Sequence, residues 1–79
     1  MKYDPEEVYI INLTRRFSNK TEYWDIEEHY KKIYEDMKKL GLDFDTELEG
    51  FIIVFNPELL EKAEERLKEL GETFEVSLY

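Results

Sequence analysis

Cysteine is absent from this 79-residue chain. That excludes a disulfide staple, a thiolate nucleophile and any Cys-ligated metal. Basic residues are scarce: 11 Lys and Arg stand against 20 Asp and Glu, for a net charge of −9. Nucleic acid is held largely by neutralising phosphates with Lys and Arg, so a field of this sign opposes it and no nucleic-acid partner is expected. No apolar run approaches the ~20 residues a membrane span needs. The opening Met1-Lys2-Tyr3-Asp4-Pro5-Glu6-Glu7 also lacks the apolar stretch of a secretory signal, so a cytoplasmic globular protein without a membrane partner is the expectation. There is one histidine, and there is no glycine-rich phosphate loop, zinc motif or catalytic triad. No catalytic residue, cofactor or metal ligand is therefore assigned, and the chain is read as a non-enzyme.

What is present is a core: 42% hydrophobic and 15% aromatic residues offset a charged fraction of 39% that would otherwise suit disorder. The length allows one domain, residues 1–79. Val8–Leu13 is a short apolar run rich in β-branched residues and reads as a buried strand. From Thr21, a candidate cap, a helix carries Tyr23, Ile26, Tyr30, Ile33, Met37 and Leu40 at spacings of three and four, and Gly41 ends it. Leu42–Leu48 alternates apolar and acidic residues except at Thr46, as an edge strand does. Glu49-Gly50 fits a tight hairpin, and Phe51–Phe55 is the returning strand. Asn56-Pro57 opens a second helix, Asn56 as its cap and Pro57 at the first helical position, with the stripe Leu60, Ala63, Leu67 and Leu70, closed by Gly71. Glu72–Tyr79 is the last strand. The order β-α-β-β-α-β predicts an α+β, ferredoxin-like sandwich: a four-stranded antiparallel sheet, order 4-1-3-2, with two helices on one face.

A two-residue turn at Glu49-Gly50 sets Leu48 opposite Phe51 and predicts that Leu42, Phe44, Leu48, Phe51, Ile53 and Phe55 face the helices. Val8, Ile10, Ile52 and Val54 then form an aliphatic patch on the open face, where a partner or a second copy would sit. A second candidate surface joins the first loop to the first helix: Arg15, Arg16, Phe17, Tyr23 and Trp24. Helical phase puts Trp24 opposite the buried stripe, and Trp is enriched at interface hot spots. His29 reads as a surface residue beside Asp25. Asp43, Asp45 and Glu47 share one face of a strand, but Leu48 replaces the sharp-turn glycine of a calcium loop, so these charges read as guards of a sheet edge. The C-terminal strand is the less guarded edge, open to strand addition.

Asn56–Tyr79, NPELLEKAEERLKELGETFEVSLY, resembles the idiom of computationally designed α/β miniproteins: an Asn-Pro opening, Glu/Lys-saturated faces, a Leu stripe, a Gly stop and an alternating strand. Glutamine is absent too. The Glu/Lys excess and the missing thermolabile residues also fit a hyperthermophile origin. Both imply a thermostable domain. The irregular RRFSNKTEYWD loop departs from the idiom and marks a surface suited to a partner. The expected function is a non-catalytic protein-binding module, such as a designed binder or inhibitor, using the aromatic helix-loop surface. The alternatives are a small homodimeric ligand-binding or regulatory domain that closes its open sheet face, and an acidic inhibitor imitating nucleic acid.

Overall fold

The computed structural model describes residues 2–79. Strand β1 is Tyr9–Leu13, helix α1 Tyr23–Lys39, β2 Phe44–Asp45 and β3 Phe51–Val54. A 3-10 turn at Pro57–Leu59 leads into helix α2, Leu60–Glu69, and β4 is Phe74–Leu78. The antiparallel sheet runs β2-β3-β1-β4, which counted from β4 reads 4-1-3-2. The central strands β1 and β3 are the two apolar runs, and β2 and β4 are the edges.

Both helices pack on one face of the sheet. Tyr9, Ile11 and Leu13 of β1 and Ile52 and Val54 of β3 share a single buried cluster with Tyr30, Ile33 and Met37 of α1 and Leu60, Ala63 and Leu67 of α2. The helix stripes at spacings of three and four thus face the sheet as their periodicity predicts, except at the ends, where Tyr23 and Leu70 stay exposed. Both helices end in the Schellman arrangement: Leu42 N–H donates to the Met37 carbonyl at 3.1 Å, and Glu72 N–H to that of Leu67 at 2.9 Å. The N-terminal segment is strapped down as well. Tyr3 meets Tyr9 edge-on at 4.9 Å and donates its hydroxyl proton to Glu64 of α2.

Two expected caps are not caps. Glu22 precedes α1 and no side chain caps it, so Thr21 does not act as expected. Asn56 reaches sideways instead: its side-chain oxygen accepts from Asp43 N–H at 2.7 Å, and its amide nitrogen donates to the Gly41 carbonyl at 3.0 Å. It ties the α1–β2 connection to the start of the second helical unit.

The larger correction concerns register. The turn is centred where expected, with Phe51 N–H donating to the Leu48 carbonyl at 3.1 Å across Glu49-Gly50. Yet β2 pairs with β3 as Phe44↔Val54 and Asp45↔Ile53. Two residues, Thr46 and Glu47, therefore stand opposite Ile52 alone, a bulge that slips the hairpin by one residue and cuts β2 to Phe44–Asp45. A one-residue slip exchanges the faces of a strand. Ile52 and Val54, expected on the open face, are fully buried under the helices. Phe51, Ile53 and Phe55, expected inside, lie on the other side.

Neighbouring β1 explains the outcome. It pairs Tyr9↔Val54 and Ile11↔Ile52, and Leu13 N–H donates to the Gly50 carbonyl at 2.7 Å, so β3 takes its register from the central strand along its whole length. Every residue of Phe51–Phe55 is apolar, and no polar residue opposes that choice. Gly50 is held with φ 84°, where a Cβ would lie 3.3 Å from the Tyr30 hydroxyl oxygen. Its N–H donates to the Tyr34 hydroxyl at 3.0 Å, so the turn is anchored to α1 from both sides.

Candidate functional site

The register that buries Ile52 and Val54 builds a different surface on the open side. Ile10 and Ile53, directly paired, form its floor. Ile53 is only 8% exposed because larger neighbours crowd over it. Phe51 and Phe55 stand beside it at 38% and 48% exposure, and Leu48 and Tyr79 rise further at 67% and 71%. Tyr79 is carried there by β4 pairing, its N–H donating to the Val8 carbonyl at 2.8 Å. A shallow depression of about 140 Å³ lies between Ile10, Glu47, Leu48, Phe51, Ile53 and Tyr79.

The polar surround has one sign. Asp45 is paired with Ile53 and so shares the open face, Asp43 lies two residues earlier in β2's approach, and Glu47 lines the depression. Glu75, paired with Asn12, faces the same way from the opposite edge. None of the 11 Lys and Arg falls in a strand, and none lies between Lys39 and Lys62, a stretch that includes the whole β2–β3 hairpin. Positive charge is confined to the helices, the N-terminal segment and the loop after β1.

The other expected site residues scatter. Val8 and Ile10 belong to the open side, half-buried. Ile52 and Val54 do not, for the reason of register given above. Arg15 is committed within the molecule: its Nε lies 3.1 Å from both carboxylate oxygens of Glu72, and Nη2 donates to one at 2.8 Å. Phe17 turns inward, edge-on to His29 at 5.5 Å and to Tyr30 at 5.8 Å. Arg16 remains exposed. Tyr23 and Trp24 are also exposed, at 62% and 63%, with the Tyr23 hydroxyl donating to Glu49 at 3.2 Å. Hydrogen bonding to Glu27 and Glu49 pushes the Tyr23 phenol up to about 12. The loop–helix surface thus keeps Arg16, Tyr23 and Trp24, while Arg15, though exposed, is tied to Glu72 and Phe17 is half-buried against α1.

Glu72 is the residue the pattern hides. It reads as the polar start of a strand, yet its side chain is 2% exposed. It occupies the helix-terminal position where an apolar side chain usually folds back. Arg15 holds it in a bidentate grip, and His29 Nε2 lies 3.1 Å away. Burial pushes the carboxyl up, but the hydrogen bonds from Arg15 and His29 draw it down further and leave it below its ordinary value. Its lone pairs are spent on these partners, so the cluster joins the β1–α1 loop, α1 and the α2–β4 junction. This is a structural clasp.

Among the described residues no group of three or more His, Asp and Glu side chains converges as a metal site, and no helix is long and apolar enough to cross a membrane. Comparison of the chain with protein-family models, curated proteins and solved structures finds no match.

Proposed function

We propose that the chain is a non-catalytic protein-binding module whose contact surface is the open face of a ferredoxin-like sheet. The observation that carries this reading is the gathering of Leu48, Phe51, Phe55 and Tyr79, all exposed, around the Ile10–Ile53 floor. Aromatic side chains supply large contact area and dominate interface energetics. A chain that gains nothing by leaving two phenylalanines half in water on one sheet face gains binding energy when a partner covers them.

The helix-loop surface is the secondary candidate. With Arg15 and Phe17 engaged internally, it offers a thinner contact centred on Trp24.

Affinity capture with the native chain and with the double variant Phe51→Ser/Phe55→Ser tests the reading, followed by titration of any captured protein in purified form. The native chain is expected to bind the partner directly and the double variant to lose it, with the circular-dichroism spectrum preserved. A partner that both proteins bind equally, and that Trp24→Ser releases, would overturn the assignment of the face.

A further inference from the structure

We infer that the occupant of the open face is a basic amphipathic helix from another protein, its apolar stripe on the Ile10–Ile53 floor and its Lys and Arg reaching the acidic edges. The inference rests on the reading of this face as a protein-binding surface and adds the chemistry of the partner. Charge complementarity carries it. Asp45 and Glu47 border the floor on the β2 side and Glu75 on the β4 side, and no strand carries a Lys or Arg to neutralise them.

A second copy is a poor match. Two sheets packed face to face set the β2 edge of one against either edge of the other. The charged residues that the edges place on this face, Asp45 and Glu47 on one and Glu75 on the other, are all acidic, so either aligned orientation opposes like charges, which suppresses association. The overall charge of −9 adds to that repulsion. A partner whose cations flank an apolar stripe meets the opposite balance at each edge.

Size agrees. Strands lie ~4.8 Å apart, so β3 and β4 on either side of β1 are roughly 10 Å apart, the width of one α-helix with its side chains. Apolar anchors every three or four residues would rest on the Ile10–Ile53 floor and meet Phe51 and Phe55 on one side and Tyr79 on the other, the helix-in-groove mode of recognition. Lys and Arg stems can lie along the aromatic rims while their heads stay at the carboxylates.

The probe is a synthetic Leu/Lys helix of about 18 residues with Leu at helical spacing, long enough to span the face at ~1.5 Å per residue. Its controls are a sequence-scrambled peptide and a Leu/Glu version. Calorimetric titration of the full chain is read together with amide and methyl NMR shifts. The Leu/Lys helix is expected to bind about tenfold or more tighter than either control, to shift Ile10 and Ile53, and to weaken several-fold as salt shortens the reach of the charges. Asp43→Asn/Asp45→Asn/Glu47→Gln should weaken it by a similar factor, while Phe51→Ser/Phe55→Ser abolishes it. Equal binding of the Leu/Glu helix, or a charge-neutralised variant that binds as well as native, overturns the basic occupant and leaves the face as an interface if the Phe variant still fails. Sedimentation showing a dimer broken by the Phe variant overturns it in favour of a second copy. Shifts confined to Trp24 and its neighbours overturn the use of this face altogether.

Discussion

Replacing Ile52 by alanine separates the observed register from the one a simple two-residue hairpin implies. Ile52 is fully buried between sheet and helices, paired with Ile11. Alanine removes three carbons, a transfer loss of about 2.4 kcal/mol at ~0.8 kcal/mol each. The cavity left in a packed interior adds to this, for a total of about 3–5 kcal/mol. A 79-residue domain has a total stability of roughly 4–12 kcal/mol, so the loss is large and measurable. Phe51, one residue away, is 38% exposed on the other face and keeps only part of its burial, so Phe51→Ser should cost about 1–2 kcal/mol. Urea unfolding followed by circular dichroism gives both values, and the midpoint should shift further for Ile52→Ala than for Phe51→Ser at unchanged slope. A small loss for Ile52→Ala with a collapse of stability for Phe51→Ser would refute the bulge and restore the hairpin register.

Three further outcomes follow from the same geometry. Glu72→Gln removes the charge that Arg15 and His29 grip, and should cost about 1–3 kcal/mol at neutral pH by chemical denaturation. Because the folded-state pKa of Glu72 lies below its unfolded value, the contribution is complete above the unfolded pKa of ~4.3 and is lost as pH falls through the folded one. Native and Glu72→Gln stabilities should therefore converge in acid, and a constant gap between them down to the lowest pH would contradict the clasp. Gly50→Ala forces a side chain onto a φ of 84° beside Tyr30, with an expected loss of about 1–3 kcal/mol; a silent substitution in the same denaturation assay would contradict the anchored turn. Trp24, being 63% exposed in the folded domain, should show nearly the same fluorescence maximum before and after unfolding, and a strong red shift would place it in the interior.

The helices were legible because their signals are redundant. Stripe and terminal glycine agree in both, and the stripe names Tyr30, Ile33 and Met37 in α1 and Leu60, Ala63 and Leu67 in α2, all buried, whereas Tyr23 and Leu70 at its ends stay exposed and Glu64 is buried outside it. The strands of the edges were legible as elements, but β2 shrinks from Leu42–Leu48 to Phe44–Asp45 because a bulge at Thr46-Glu47 leaves no local mark except the break in alternation at Thr46. That break was the available signal. In Phe51–Phe55 every position is apolar, so alternation says nothing of which face is inside, and pairing with β1 decides it. The existence of an apolar open face was therefore readable, whereas its members were not: Val8 and Ile10 belong to it, Ile52 and Val54 do not, and Leu48, Phe51, Ile53, Phe55 and Tyr79 do. Glu72 escaped for a related reason. Its burial depends on Arg15 and His29, 57 and 43 residues away, and no local pattern encodes that encounter.

The most direct test of the central claim is side-chain footprinting by hydroxyl radicals on the free chain and on its complex with the partner recovered by affinity capture. Oxidation of Phe51, Phe55, Leu48 and Tyr79 should fall by several-fold on binding while Trp24 and Tyr23 stay as reactive as in the free chain. Protection of Trp24 and Tyr23, with the four sheet-face residues unchanged, would contradict the account.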